Sequence, residues 1–372
     1  MVKFLIFDKG GRKERENLIK DKKAPRDFLQ GLDVLKKNGY DIDHLSSSIP
    51  YKKDLFYVLV KLIEQFFSRI SNCGIRPLSV FQFMHLIKKA KYVVSLTDGF
   101  SISLGFYFSF INKKNNIKLA GAFHKLSDYQ RKIPRFLKYI YYKIFLISLN
   151  RLDYIIFYGE ADRLYAIDHF KLEKGKTHIL KFGVDTLFWE QNKKNNFLSN
   201  YLFSIGQDPS RDYKTLLSVK TKKLIHIHTN LLPKRDNKYF KITNGSYQNY
   251  KNSFTDLSIK KLYQESFAVI VPLKNVFQPS GYSVTLQAMA CGKPVILTLT
   301  KGLWAPKIFK NLENCLLVKP KDKKDIEKAI KFLENNELVY KKVCLNARKT
   351  AVKYFSLDQA NNSTLELFSK FN

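Results

Sequence analysis

One loop in the second half of this sequence combines a glycine with two cations. It leaves an apolar run at Gly206 and presents Arg211 and Lys214 ahead of the next apolar stretch. A guanidinium held beside a glycine turn can bind a diphosphate through two parallel hydrogen bonds. We therefore predict that this loop binds a phosphate group. A polar turn in which Arg211 meets no ligand is the alternative.

A second loop carries a cation, a glycine and small polar residues. It follows a buried apolar run and passes from Lys274 to Ser280, Gly281 and Tyr282. We predict that a helix starts near Ser283, whose backbone amides and positive dipole end would form an anion site. The glycine would let the backbone approach the ligand closely. A glycine turn capped by Ser283, without any ligand, is the alternative.

The first half carries weaker signals. Gly10 and Gly11 follow the first apolar run, but without the spacing of a dinucleotide or P-loop fingerprint. His124 follows another such run, where an imidazole could contact a substrate, and a structural histidine is the alternative. The chain holds no serine-triad or zinc-hydrolase motif, so we expect no metal and no other cofactor.

Charge and composition limit the class of protein and its partners. The chain has 372 residues, of which 45% are hydrophobic, enough for two domains with cores of their own. Its formal net charge of +33 favours anionic partners such as phosphorylated small molecules, nucleic acid or an anionic membrane. Lysines that are simply solvated, on a chain rich in lysine and asparagine, are the alternative.

Cysteine spacing and hydropathy indicate a cytoplasmic protein. The four cysteines are widely spaced and form no C-x-x-C pair, which fits a reducing compartment. The first residues become charged too early for a signal peptide. The apolar stretch 92–112 contains Thr97-Asp98-Gly99, which predicts a strand, a turn and a helix rather than a membrane span.

Short apolar runs alternate with longer amphipathic segments, a pattern typical of βα units around parallel sheets. In the first half the predicted strands are 4–7, 92–96, 117–121, 154–158 and 178–182. In the second half they are 201–205, 223–228, 268–272, 294–297 and 315–318. We therefore predict an α/β protein with two doubly wound domains.

The boundary between the domains is predicted in a polar segment. Residues 190–197 are polar and without periodicity, so we expect domains of residues 1–190 and 191–353 with the linker between them. Ligands of open α/β sheets bind beyond the carboxyl ends of the strands. The loops described above should therefore face each other across a cleft.

Several segments together resemble, in the same order, the motifs of GT-B glycosyltransferases of family 4, the glycosyl transferases group 1. They are the segment starting Phe182-Gly-Val-Asp, the loop from Gly206 to Arg211, the stretch from Pro279 to Val295, and residues 313–318 with Asp322 behind them. The resemblance covers roughly residues 180–330. In the first half, the glycine turn after the first strand agrees with it.

The resemblance implies two Rossmann-like domains and a retaining, metal-independent glycosyltransferase. The second domain would hold a nucleotide-sugar donor and the first a sugar, lipid-linked or polysaccharide acceptor of the cell envelope. A last helix, 354–372, would cross back to the first domain. Positive side chains and helix-end amides would stabilise the departing nucleoside diphosphate.

Carried onto matching positions, the resemblance gives several of the candidate residues a role. Arg211 takes the place of a phosphate-binding lysine, and Gly281 lies near the diphosphate with the amides that follow it. His124 would lie near the donor sugar, and Gly10 and Gly11 would line the cleft.

This sequence departs from the family pattern at three positions. The family usually has two glutamates around this helix start, where the chain has Pro279 and Gln287. Gln287 can still hydrogen-bond a ribose hydroxyl, whereas Pro279 cannot replace a carboxylate. Gln207 stands where the family usually has an arginine, so Lys214 or Lys274 would supply that phosphate contact. A non-catalytic relative that binds nucleotide sugars is therefore an alternative.

One segment favours a membrane partner. Residues 131–151 contain six basic residues, five aromatic residues and no acid, which predicts a basic amphipathic helix. Such a helix could rest on the inner face of an anionic membrane and meet a lipid-linked acceptor; a packed helix with solvated lysines is the alternative. A nucleic-acid-binding protein is a further alternative, but its motifs are missing and the charge is spread out, so we expect no nucleic acid.

Overall fold

The computed structural model describes residues 3–8, 12–29, 31–47, 55–71, 73–111, 116–192, 197–245 and 254–371. These residues form two mainly parallel sheets, one in each half of the chain, with helices packed against them. The α/β class and the two-sheet architecture predicted from the alternation of apolar runs are confirmed.

The first sheet has six parallel strands in the order β2-β1-β3-β4-β5-β6. Their bounds are β1 (Lys3–Asp8), β2 (Asp41–Ser46), β3 (Tyr92–Ser95), β4 (Lys118–Phe123), β5 (Tyr154–Phe157) and β6 (Thr177–Ile179). The central strands are apolar on both faces because helices cover the sheet on both sides.

Nine helices belong to the described part of this first half. They are α1 (Arg12–Lys20), α2 (Leu32–Lys37), α3 (Leu55–Ser71), α4 (Pro77–Gln82), α5 (Met84–Ile87), α6 (Asp98–Ser109), α7 (Leu126–Lys132), α8 (Lys138–Arg151) and α9 (Glu160–Phe170). Helices α6 and α8 pack closely together, and their apolar side chains fill the larger of the two cores around this sheet.

The second sheet has the order β13-β12-β11-β7-β8-β10-β9 and is parallel except for β9. Its strands are β7 (Tyr201–Ile205), β8 (Leu224–His228), β9 (Arg235–Asp236), β10 (Phe240–Thr243), β11 (Val269–Val271), β12 (Val295–Thr298) and β13 (Leu316–Val318). The helices that follow or separate them are α10 (Tyr213–Leu216), α11 (Asp256–Glu265), α12 (Tyr282–Ala290), α13 (Lys323–Glu334) and α14 (Glu337–Phe355).

The last helix, α15 (Leu357–Ser369), leaves the second domain and packs on the first sheet. Phe368 and Phe371 lie against Phe4 in the core on that face. The Tyr154 hydroxyl donates a hydrogen bond to the carbonyl of Lys370, at 3.0 Å. The end of the chain therefore ties the two domains together.

Every strand predicted from the sequence is present, and three strands were missed. Strand β2 is a polar edge strand and β9 and β10 are short, so none of them shows the long apolar run of a buried strand. The predicted strand, turn and helix at 92–112 is confirmed by β3 and α6. The predicted linker 190–197 lies partly outside the described residues.

The single basic helix predicted at 131–151 is wrong. Helix α7 ends at Lys132, a 3₁₀ turn occupies Arg135–Leu137, and α8 begins only at Lys138. Proline disfavours helical backbone in the residue before it, and Ile133 is extended with a ψ of 134° before Pro134. In the described part of the chain, no helix is both long enough and apolar enough to span a bilayer.

Candidate functional site

A glycine turn at the start of α12 brings the backbone close to β11. Gly281 has a left-handed φ of 80° and is the N-cap residue, directly before the first residue of the helix. A Cβ atom built on it would lie 2.6 Å from Cγ1 of Val271, so a larger residue would not fit without movement. The predicted helix start near Ser283 is confirmed, and the alternative of a cap by Ser283 is wrong, because the helix starts at Tyr282 and no side chain caps it. The first amides of α12 therefore remain as donors for a ligand.

The guanidinium of Arg211 lies between the two glycine loops. A Cβ atom at Gly206 would be 2.2 Å from Nε of Arg211, and one at Gly281 would be 3.4 Å from its Nη1. Glycine at position 206 thus gives the arginine its space. The sequence-predicted residues Gly206, Arg211 and Gly281, which are far apart in the chain, are brought together at the carboxyl ends of β7 and β11.

Arg211 is buried with part of its charge uncompensated. The residue is only 6% exposed, and within the described part of the chain its Nε and Nη1 atoms have no hydrogen-bond partner. Burying a cation without partners is costly, so such a group is expected where a ligand supplies the missing negative charge. Both atoms carry N–H groups that could donate charge-assisted hydrogen bonds to phosphate oxygens.

The loop that carries Arg211 is held by the neighbouring loop. Ser210 and Ser280 share a hydrogen bond between their hydroxyl groups at 2.5 Å. Lys274 donates from Nζ to the carbonyl of Pro209 at 2.8 Å. Lys274 therefore positions the loop in this structure, and a phosphate contact by this side chain stays a prediction. Lys214 is exposed on α10, one turn beyond Arg211, and its phosphate contact also stays a prediction.

A carboxylate that sequence reasoning missed lies beside Arg211. Burial alone raises the pKa of Asp208, but hydrogen bonds from Ser210 and the charges of Lys125 and Arg211 outweigh it and leave the pKa below its usual value. Asp208 also accepts a hydrogen bond from Nε2 of Gln278 at 3.2 Å. Lys125 belongs to the first domain, so charges from both domains meet at this loop.

His124 lies on a loop of the first domain that is ordered by a buried carboxylate. Asp98 accepts hydrogen bonds from the backbone amides of His124 and Lys125, at 3.0 Å and 3.1 Å, and from the hydroxyl of Tyr129 at 3.0 Å. The imidazole is half-buried and stacks on Tyr158, with ring centroids 4.3 Å apart. Asp98 fixes the direction in which this loop leaves β4.

Helix α7 brings this loop against the second domain. The carboxylate of Asp128 accepts hydrogen bonds from the backbone amides of Phe277 and Gln278, at 3.4 Å and 2.8 Å. Pro279 packs against Gly159, whose added Cβ would lie 3.2 Å from the proline ring. The turn that leads into α12 is therefore clamped by the first domain, and the position where the family has a carboxylate is filled by an apolar contact.

Gln287 makes a hydrogen bond between the domains. The residue is 2% exposed, and its Nε2 atom donates to the carboxylate of Asp27 at 3.1 Å. The hydroxyl of Tyr263 donates to its Oε1 atom at 3.4 Å. A ribose contact by Gln287 stays a prediction. A ribose bound there would contact the same side-chain amide that donates to Asp27.

Asp27 lies at the contact between the two domains, and sequence reasoning missed it. It also accepts hydrogen bonds from the indole of Trp189, at 2.8 Å, and from the backbone amide of Asp185. Burial raises the pKa of Asp27 to about 7 in spite of these donors. An aspartate next to the apolar 28–29 pair was the only signal in the sequence, and it does not reveal partners that lie more than a hundred residues away.

The remaining predicted residues lie near this contact between the domains or outside the described residues. The ring of Tyr282 packs against Phe182, with centroids 4.2 Å apart. Ser283 is half-buried in the first turn of α12. Gly10 and Gly11 lie outside the described residues. In the part of the chain that the structure describes, no group of three or more His, Cys, Asp or Glu side chains is arranged to hold a metal ion.

Residues 249–351 match the family model described as glycosyl transferases group 1. The matched region contains Ser280, Gly281 and the whole of α12. The resemblance to this family is therefore confirmed there, and the narrower assignment to family 4 stays a prediction. No curated protein sequence matches the chain significantly.

Solved structures of similar fold cover the whole chain. HepE of Anabaena in complex with UDP is 14% identical, with a TM-score of 0.65 and 100% of both chains covered. Sucrose-phosphate synthase of Thermosynechococcus elongatus is 12% identical, with a TM-score of 0.69, and 100% of this chain and 99% of that chain are covered. WaaG, a glycosyltransferase involved in lipopolysaccharide biosynthesis, is 13% identical, with a TM-score of 0.60 and coverage of 98% and 100%. The chain has the GT-B fold that these proteins share.

Proposed function

We propose that this protein is a glycosyltransferase that moves a sugar from a nucleotide-sugar donor to an acceptor. The observation that carries the proposal is the buried guanidinium of Arg211 between two glycine loops, beside the uncapped start of α12. The match of residues 249–351 to the glycosyl transferases group 1 supports it. The donor diphosphate would fill the space that Arg211 and Gly281 share.

The chemistry of such a site is electrostatic. When the bond between the sugar and the diphosphate breaks, negative charge grows on the leaving oxygen, and donors fixed beforehand lower the energy of that state. Arg211 and the amides that follow Gly281 would supply this stabilisation without a metal. His124, on the loop ordered by Asp98, would contact the donor sugar. We further propose that transfer retains the anomeric configuration, as the family resemblance implies.

The acceptor is proposed to bind the first domain. WaaG, which is similar over nearly the whole chain, acts in lipopolysaccharide biosynthesis. HepE has been crystallised with UDP-glucose. On these grounds we propose a nucleoside diphosphate sugar, with UDP as the first base to test, and an acceptor that is a lipid-linked or polysaccharide glycan of the cell envelope.

A non-catalytic relative is the second candidate, because Pro279 stands in the place of a carboxylate and packs on Gly159. Such a protein would bind nucleotide sugars without releasing nucleoside diphosphate. A nucleotide sugar that stabilises the protein, yet yields no free nucleoside diphosphate with any glycan offered, would favour this candidate over the enzyme.

A thermal-shift panel tests the proposal. The purified chain is heated with UDP, GDP, ADP and their common sugar conjugates, each with and without EDTA. We expect one nucleoside diphosphate and its conjugates to raise the melting temperature, equally in the presence of the chelator. If none of them stabilises the protein, the donor site does not exist. The donor found in this way is then offered with glycan acceptors, and the anomeric configuration of the product shows whether transfer is retaining.

A further inference from the structure

Helix α3 exposes a row of large apolar side chains. Val58, Leu59, Leu62, Ile63 and Phe66 lie on one side of the helix, and each is between 47% and 60% exposed. These five residues are called the α3 face below. Their spacing follows the period of an α-helix, so they form a continuous stripe. Scattered apolar residues are common on protein surfaces, whereas a contiguous stripe indicates an interaction site.

The opposite side of α3 fastens the helix to the first domain. Glu64 is only 5% exposed and accepts a hydrogen bond from the backbone amide of Leu78 at 2.6 Å. Ser68 donates to the carbonyl of Ile75 at 3.2 Å. These contacts direct Glu64 and Ser68 towards the first domain. The apolar stripe consequently faces outwards, the reverse of the orientation in an ordinary surface helix.

Further exposed apolar side chains lie on the helices that pack around α3. Helix α3 contacts α4 and α7, α4 contacts α6, and α8 contacts both α6 and α7. On or next to these helices, the exposed large apolar side chains include Phe81, Phe110, Phe136, Tyr139, Ile140 and Ile147. Phe136 is 80% exposed. The first domain therefore exposes further large apolar side chains in the helical layer around α3.

The same layer of helices is basic and exposes no described carboxylate. Residues 55–151 contain sixteen Lys and Arg and three acidic residues. The acidic residues Glu64, Asp98 and Asp128 are all at most 6% exposed. On α3 itself, Lys61 and Arg69 are exposed beside the apolar stripe. A helix with an apolar stripe flanked by cations is the kind that lies in the interface of an anionic bilayer.

We propose that the α3 face docks the protein on an anionic lipid bilayer. Lipid tails would cover the apolar stripe while acidic headgroups pair with the surrounding cations. A second copy of the chain fits less well, since two surfaces of the same positive sign repel each other. Nucleic acid would pair with the cations but leave the aliphatic stripe exposed to water.

Docking in this orientation would bring the cleft close to the membrane. Helix α3 follows β2 of a parallel sheet, so we infer that its start lies on the side of the carboxyl ends of that sheet, where His124 follows β4. A lipid-linked acceptor could then reach the cleft without leaving the bilayer. This consequence rests on the proposed function, whereas the docking itself does not.

Vesicle flotation tests the docking. The full chain is mixed with vesicles of phosphatidylcholine alone or with added phosphatidylglycerol, and the bound fraction is measured. The test variant is Leu59→Glu with Leu62→Glu, both residues being 57% exposed. The control is Leu338→Glu, on α14 of the second domain, where the leucine is 76% exposed. Because these side chains are in water, all variants are expected to fold.

We expect wild type and Leu338→Glu to bind the vesicles that contain phosphatidylglycerol, and the double variant to bind at least about tenfold more weakly. Added salt should weaken wild-type binding. Absence of wild-type binding, or equal binding by the double variant, would overturn the proposal. A dimer seen by analytical ultracentrifugation and dissolved by the double substitution would overturn it as well, in favour of self-association.

A nucleotide measurement on the same variants separates this proposal from the proposed function. The double variant should retain the thermal stabilisation by nucleoside diphosphate, because the α3 face is not part of the donor site. Vesicle binding without any stabilisation by nucleotide would contradict the proposed function and support the proposed docking. Stabilisation by nucleotide without vesicle binding would contradict the docking alone.

Discussion

The side-chain amide of Gln287, in the second domain, donates a hydrogen bond to the carboxylate of Asp27, in the first domain, at 3.1 Å. Both residues are buried. Burial raises the pKa of Asp27 to about 7, so this carboxylate is already costly to ionise where it lies. An amide at position 287 satisfies it without adding charge, which gives a structural reason for glutamine where the family usually has glutamate.

Restoring the charge should therefore destabilise the protein in a pH-dependent way. In Gln287→Glu, two buried carboxylates would face each other, and the folded-state pKa values of the pair would rise above those of the unfolded chain. Their stabilising contribution is present at low pH and is lost as the pH rises through the folded pKa values. We expect urea titrations to show a loss of roughly 1–3 kcal/mol in the free energy of unfolding at pH 8 and a smaller loss at pH 5.

Gln359→Glu, at an exposed position of α15, is the control for this substitution. It should change the free energy of unfolding little at either pH. An equal loss for Gln287→Glu at pH 5 and pH 8 would contradict the contact between Asp27 and Gln287.

Asp162 is a second buried carboxylate, and here we predict that a neutral substitution stabilises the protein at high pH. Burial, together with the charges of Asp98 and Asp128, raises the pKa of Asp162, in α9, to about 8. Its Oδ1 atom accepts a hydrogen bond from the amide of Ser127 at 3.0 Å, while its buried Oδ2 has no partner among the described residues. An asparagine can keep the first contact and carries no charge.

Because the folded pKa of Asp162 lies above the unfolded value, wild-type stability falls as the pH rises towards 8. Asp162→Asn removes that contribution. The free energy of unfolding of the variant minus that of wild type should increase by on the order of 2 kcal/mol as the pH rises from 5 to 8. Asp168→Asn, on the exposed side of the same helix, should show no such gain. Parallel stability curves for wild type and Asp162→Asn would refute the prediction.

Two glycines with the same backbone conformation allow a matched test of the turn before α12. Gly281 and Gly39 both have a φ of 80°, but a Cβ at Gly39 would meet nothing within 4 Å, whereas one at Gly281 would lie 2.6 Å from Val271. We expect Gly39→Ala to cost about 1 kcal/mol in the free energy of unfolding, from backbone strain alone. Gly281→Ala should cost about 2–4 kcal/mol.

The two alanine variants should also differ in ligand binding. Gly281→Ala should weaken nucleoside diphosphate binding, because the added methyl group enters the space beside Arg211. Gly39→Ala should leave the affinity unchanged. Equal stability losses and equal affinities in the two variants would show that the turn at Gly281 has no special role.

The local parts of the fold were predictable from the sequence. Continuous apolar runs such as β11 and β12 identify buried strands, because both faces of a parallel sheet are covered. Strand β2 reads Asp-Ile-Asp-His-Leu-Ser and lies at the sheet edge, where polar residues are tolerated, so its pattern is weak. Pro134 interrupts the helix that was predicted at 131–151, and the sequence prediction did not take its effect into account.

The candidate site was predictable only where residue type and local turn chemistry coincide. Gly281 and Arg211 belong to that class. Asp27 and Asp128 do not, since their partners lie 162 and 150 residues away in the chain, at Trp189 and Gln278. Contacts between two domains depend on how the domains pack, and a single sequence carries no signal for that packing.

The central claim is that Arg211 binds the donor diphosphate, and its test is the dissociation constant of the stabilising nucleoside diphosphate for Arg211→Met, measured by isothermal titration calorimetry. The control is Arg348→Met, which removes a guanidinium that donates to the carbonyls of Thr186, Trp189 and Ala290. This control should lose stability, yet its folded form should bind the nucleotide as wild type does.

For Arg211→Met we predict binding at least about tenfold weaker than wild type, because a charge-assisted contact to phosphate is lost. We also predict no loss of stability in the absence of nucleotide, because the substitution removes a buried and incompletely paired charge. Unchanged affinity in Arg211→Met would contradict the account.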